Sequence, residues 1–173
     1  MKQEFTSNRS PATAQLFTGS WVVLFPATYL IHIAEEYWGG FPAWTAGRTG
    51  LAISDIAFLA ANAFLWVLMV GAVVIILSRP SRALLIVSLA TIAFINALLH
   101  IGASLLTLSY SPGLASGVLL WLPLGIAALA RGHRVLPMQE FRWGVVAGVV
   151  AHILVPLVGL GFAVAFGGGF TGA

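Results

Sequence analysis

Three ionisable side chains crowd the end of one apolar stretch: His32, Glu35 and Glu36 in LIHIAEEYWGG, residues 30–40. At about 100° per residue, His32 and Glu36 stand roughly 40° apart on a helix, with Glu35 about 60° to the other side of His32. An imidazole and a carboxylate so placed can exchange a proton or share a metal ion. Other apolar stretches contribute His100, His152, Asn62 and Asn96. As a set, His32, His100, His152 and Glu36 offer the nitrogen and oxygen ligands that suit zinc or iron. Glu35 or Glu36 would then act as general base, and Asn62 and Asn96 would orient a ligand or a substrate carbonyl. The chain has no cysteine, which excludes thiolate ligands, disulfides and thiol nucleophiles.

The surroundings make these groups informative. Of 173 residues, 60% are hydrophobic and only 8% are charged, and the mean hydropathy is +0.99. A soluble domain carries about a quarter charged residues. The chain reads as an all-α, polytopic membrane protein. A charged side chain near the bilayer centre costs about 2.5–3.5 kcal/mol, and less near the interface. The helix macrodipole disfavours Glu35 and Glu36 near a helix C-terminus by about 0.3–1 kcal/mol each, and adjacent carboxylates also repel. A bound cation, a histidinium, Arg48 folding back or protonation of one glutamate would compensate.

Five helices must position these residues, because about 20 apolar residues cross a bilayer. The first runs from about Leu16 to Trp38 and stops at Gly39-Gly40; Pro26 leaves the carbonyl of Val22 without its helical donor. The second spans Ser54 to Leu77, the third Ala83 to Leu108, the fourth Leu114 to Ala130 with Pro123 inside it, and the fifth about Phe141 to Phe166. The domains are thus an N-terminal cytoplasmic segment (1–15), a five-helix transmembrane domain (16–166) and a tail (167–173) expected to be mobile. Lys2, Arg9, Arg79, Arg82, Arg131, Arg134 and Arg142 fall on the N-terminal side and only Arg48 on the other. The positive-inside rule then puts the N-terminus in the cytoplasm, the C-terminus outside and the chain in the cell (inner) membrane. These basic residues explain the pI near 10 as topology signals, so no nucleic-acid partner is expected.

Within this layout Asn96, His100, Ala103 and Thr107 form one stripe, Asp55, Leu59, Asn62 and Trp66 another, and Gly148, His152, Pro156 and Gly159 a third. At 1.5 Å per residue, His32 lies about 9 Å below the outer end of its helix, and His100 and Asn62 about 12 Å below theirs. The polar groups therefore overlap in depth in the outer half of the bilayer. The small-residue face around His152 also permits close helix packing and self-association. Blander roles are available. His152, Asn62 and Asn96 can join helices by hydrogen bonds. Ser54 and Asp55 suit a helix start. Trp21, Trp38, Trp44 and Trp143 suit interfacial anchoring.

The pentapeptide His32-Ile33-Ala34-Glu35-Glu36 reads H-x-x-E-E, and the chain resembles the HXXEE-motif family of small bacterial membrane proteins. Length and multi-span layout match as well. The resemblance implies an enzyme built on histidines, glutamates and an asparagine, and carries over only His32, Glu35 and Glu36. Three chemistries fit the residues: a metal-dependent hydrolase or oxidoreductase, a metal-free, isomerase-like acid–base enzyme with His32 and Glu36 as the pair, and a small proton- or cation-coupled transporter. With membrane lipids as neighbours and Leu, Ile, Val and Trp as walls, the expected substrate is lipid-like or otherwise apolar.

Overall fold

A computed structural model describes residues 17–166, together with the backbone of 169–170. The expected segment 1–15 and the rest of the tail lie outside the described residues. Its helices are α1 (Leu24–Trp38), α2 (Phe41–Thr49), α3 (Asp55–Ser78), α4 (Leu84–Thr107), α5 (Leu114–Val135) and α6 (Met138–Ala165). Among the described residues the fold is all-α apart from one two-residue pairing, β1 (Leu51–Ala52) against β2 (Gly169–Phe170), antiparallel with Leu51 opposite Phe170.

Four of these helices are long and apolar enough to cross a membrane: α3, α4 with the turn before it, α5 and α6. The expected first span is less regular. A 3-10 turn covers Ser20–Val23, and the α-helix begins only at Leu24. Pro26 explains the change, since it has no N–H for the carbonyl of Val22; the Leu24 N–H points instead to Trp21 and Val22. At 15 residues α1 is shorter than a regular span. The other helix limits follow local chemistry. Ser54 caps α3 by accepting the Ala57 N–H at 3.2 Å. Leu108 closes α4 in the left-handed region at φ 49°. α5 runs to Val135, beyond the expected end at Ala130, because its amphipathic last turn carries His133 and Arg134, which suit a helix C-terminus.

Helix α4 is the centre of the bundle, with Ile86, Val87, Ala90, Ala93, Ala97 and His100 all buried. α6 approaches it through glycines. A Cβ on Gly144 would stand 2.7 Å from Val87 Cβ, and one on Gly148 would stand 2.6 Å from Thr91 Cβ. Ser88 Oγ donates to the Gly144 carbonyl at 3.0 Å across the same seam. Thus part of the small-residue face around His152 is used within the chain, while Gly159 and Gly161 meet nothing within 4 Å. Aromatic Phe17, Phe25, Tyr29 and Trp121 fill the remaining core between α1, α4 and α5.

Helix α5 contains a widened segment. Its first turn, Leu114–Ser116, is α-helical; Gly117–Trp121 is a π-helical turn; and regular α-helix resumes at Leu122. Pro123 cannot donate to the carbonyl of Leu119, and the wider turn lies immediately before it. In a regular α-helix Ser116 and Trp121 would stand about 140° apart. The five-residue turn brings them onto one face, toward α1.

Candidate functional site

Tyr29, His32 and Glu36 occupy positions i, i+3 and i+7 of α1, and all three are buried. This face meets α4 and the first turns of α5. His32 and His100 are in edge contact, with ring centroids 5.1 Å apart at 79°. Glu36 Oε1 lies 3.6 Å from His32 Nε2 and 3.4 Å from His100 Nε2. The donor atoms of His32, Glu36 and His100 all fall within 4.8 Å of one another.

Those separations discriminate between two uses of the site. A charge-assisted N–H···O bond has a length of about 2.7–2.9 Å, so neither imidazole is tightly hydrogen-bonded to Glu36. Ligand atoms about 2.1 Å from a tetrahedral ion stand about 3.4 Å from each other. Two imidazoles and one carboxylate are also a donor set that binds zinc or non-haem iron. The three residues lie close enough together to hold a metal ion.

The outer nitrogens of both rings are held by serine hydroxyls. His32 Nδ1 lies 2.7 Å from Ser116 Oγ, and His100 Nδ1 lies 3.0 Å from Ser111 Oγ. Ser116 Oγ has the Gly113 carbonyl as an acceptor at 3.4 Å, so it can take the Nδ1–H of His32. That tautomer leaves the His32 Nε2 lone pair toward Glu36. Asn96, one turn before His100, places Nδ2 3.0 Å from the same Nε2. Trp121 stacks on the His32 ring with centroids 4.5 Å apart at 22°. Phe41 of α2 covers the His100 side at 6.3 Å.

Glu35 takes another direction. Its Oε1 accepts the Ala115 N–H at 2.8 Å and the hydroxyl of Tyr110, and its Oε2 accepts the Ser116 N–H at 2.6 Å. The carboxylate therefore binds the N-terminus of α5, whose free amides and positive dipole end favour an anion. Arg48 does not fold back onto the pair; it donates to Ser109 Oγ at 2.9 Å and lies over the Trp44 ring. The compensation for Glu35 is a helix N-terminus. Glu36 has two imidazoles beside it, and a cation shared with them would be its compensation.

The remaining candidates separate. Asn62 of α3 accepts from Tyr29 OH at 2.7 Å through Oδ1 and donates to its own helix at Phe58 O. It thus meets the site face through Tyr29, without touching the donor triad. His152 of α6 stands outside that triad, and its Nδ1 is buried without a hydrogen-bond partner. Thr28 bonds back to its own helix, and Trp66 Nε1 donates to Pro26 O at 3.1 Å, tying α3 to α1. Ser111, Gly113 and Ser116 were not among the candidates the sequence offered. The available signals were the serine-rich segment SYSPGLAS and the nearby Pro123.

The chain is of the all-α class, with four helices long and apolar enough to cross a membrane, as fits a multi-pass membrane protein, and with a buried His/Glu cluster. It belongs to the family described as proteins of unknown function with the HXXEE motif, whose model matches residues 23–128. The match includes every member of the cluster, Asn96, both supporting serines and Trp121. No curated protein and no solved structure matches the chain.

Proposed function

We propose that this protein is an integral membrane enzyme that holds a divalent metal, zinc or iron, through His32, Glu36 and His100 and acts on a lipid-like or other apolar substrate. The observation that carries the reading is the spacing of the Nε2 and Oε1 atoms, 3.4 and 3.6 Å, in a buried cluster with both Nδ1 atoms engaged by hydroxyls. A metal bound there would supply Lewis-acid chemistry in a hydrolase, or redox chemistry in an oxidoreductase. Ser111 and Ser116 hold the Nδ1 sides of the two rings, Trp121 and Phe41 limit water, and Asn96 offers an amide to orient a substrate oxygen.

In this reading α1 and the 3-10 turn before it complete a fifth crossing. The turns carrying Arg79, Arg82, Arg131 and Arg134 face the cytoplasm and Arg48 faces outward, with the C-terminus outside. The site then opens toward the outer leaflet of the cell membrane, where apolar substrates dissolve. Self-association through the glycines of α6 left open beyond His152 is compatible with this arrangement.

Elemental analysis of the purified full-length protein tests the proposal. About one zinc or iron per chain is expected, with loss in His32→Ala, His100→Ala and Glu36→Gln, since loss of one of three ligands is poorly tolerated. Folded wild-type protein without metal, after purification free of chelators and attempted reloading, would overturn it. A second reading, metal-free acid–base catalysis by His32 and Glu36, draws support from one contact: Asn96 Nδ2 occupies the Nε2 side of His32 at 3.0 Å. That reading expects chelator-insensitive protein.

A further inference from the structure

The two adjacent glutamates have different partners, and those of Glu35 all belong to one segment. Tyr110 lies on one side of Ser111–Gly113, and Ala115 and Ser116 on the other, so the Glu35 carboxylate brackets this strap. Taken with its flanks as Tyr110–Ser116, the strap carries both hydroxyls that hold the Nδ1 atoms, Ser111 for His100 and Ser116 for His32. Gly113 sits between them against both rings: a Cβ there would meet His100 Cε1 at 2.6 Å and His32 Cε1 at 2.9 Å. Two further contacts hold the strap. The Ser111 N–H donates to Ser104 Oγ at 3.0 Å, and Gly39 packs so closely on Pro112 that a Cβ would lie 2.9 Å from it.

We infer that Glu35 is a positioning residue: through the Tyr110–Ser116 strap it fixes the orientation of both His32 and His100 and the Nδ1–H tautomer of His32, and it does not itself donate to a metal. The inference deepens the metal-site reading above, although the positioning itself is a property of the protein without metal. Glu35→Gln is the informative change. Its oxygen can still accept on one side, but its NH2 must then face a backbone N–H or the Tyr110 hydroxyl, so the bracket loses an acceptor. Partners that orient a metal-bound histidine alter metal affinity by about 10–100-fold when removed.

The test uses full-length protein in detergent micelles, with 15N-labelled histidine and no metal. Wild type should show His32 as the Nδ1–H tautomer and His100 as one sharp, single tautomer. Glu35→Gln, and more weakly Tyr110→Phe, should shift both residues toward mixed or exchange-broadened tautomers, with His133 as an unchanged internal reference. Titration with zinc should then show binding weakened about 10–100-fold in Glu35→Gln but retained, whereas Glu36→Gln should abolish it. Unchanged tautomers in both Glu35→Gln and Tyr110→Phe would overturn the inference. So would Glu35→Gln losing zinc as completely as Glu36→Gln, which would make Glu35 a ligand. A wild type that binds no zinc but shows the tautomer shift would sink the metal reading and leave the positioning role intact. Should Glu35→Gln fail to fold, Tyr110→Phe alone decides: its shift at both histidines supports the inference and its absence refutes it.

Discussion

Gly113→Ala is the most severe single-methyl perturbation the site offers, and its cost has two independent parts. Gly113 has φ +99°, in the region where an L side chain is strained, and left-handed backbone costs roughly 1–2 kcal/mol. The added methyl would also stand 2.6 Å from His100 Cε1, 2.8 Å from His100 Nε2 and 2.9 Å from His32 Cε1. Overpacking of this kind costs typically about 1–3 kcal/mol. Together these give about 2–5 kcal/mol, a loss of at least roughly 30-fold in the folding equilibrium. The geometric consequence is sharper. Ordinary contact begins at 3.4 Å, so the His100 ring must retreat by about 0.8 Å from its 2.6 Å approach, against a tolerance of about 0.2 Å for metal–ligand distances. Gly113→Ala should therefore be less stable in denaturant titration and bind zinc at least tenfold more weakly. Gly102→Ala, on the same helix as His100 and with nothing within 4 Å of its Cβ, should be neutral or stabilising by up to about 1 kcal/mol. A Gly113→Ala protein with wild-type stability and zinc affinity would refute the placement of the strap between the two rings.

Three further outcomes follow from the contacts. Asn96→Ala and His152→Ala should both retain metal in elemental analysis, because neither residue belongs to the triad of donor atoms; loss of metal from either would add it to the ligand set. The Tyr110 phenol, outside the membrane-spanning helices, is pushed up by burial and by its hydrogen bond to the Glu35 carboxylate. It should ionise above the ordinary tyrosine value of about 10 in ultraviolet titration and shift back toward it in Glu35→Gln. Because the folded-state value is raised, any stabilisation by this contact is present below pH 10 or so and disappears as pH rises through the folded value. Reporter fusions should place the N-terminus in the cytoplasm and the C-terminus outside; a cytoplasmic C-terminus would remove either the fifth crossing or the orientation.

The long apolar helices were legible because a bilayer demands length and hydropathy, both local properties of sequence. Helix periodicity likewise put His32 and Glu36 on one face, and depth arithmetic brought His100 level with them. What periodicity could not convey is which neighbour a given face meets. Asn62 and Asn96 are the same residue type at overlapping depths, yet Asn96 touches His32 while Asn62 is taken by Tyr29. His152 is as apolar in context as His100, but the glycines below it dock α6 against α4 and leave its ring outside the triad. Most of what holds the histidines was hidden because it lies in a loop and a π-helical turn. Neither has a hydrophobic period to read, and the facing of Trp121 depends on one extra residue in one turn.

The same reasoning explains why two carboxylates stand side by side where one would be less costly. Successive residues on a helix diverge by about 100°, so the two carboxylates reach different neighbours on either side of the same helix edge. Glu36 points in, toward two imidazole nitrogens that can face an anion or a shared cation. Glu35 points to the start of α5, where two backbone amides and a phenol await an acceptor. Each charge is matched by a partner from a different segment of chain. The matching is not interchangeable: a neutral residue at 36 removes a donor from the triad, whereas one at 35 leaves the triad complete but loosens the segment that orients it. The motif thus couples the donor atoms to their support within a single helical turn, and the two glutamates should be separable by experiment even though they are adjacent in sequence.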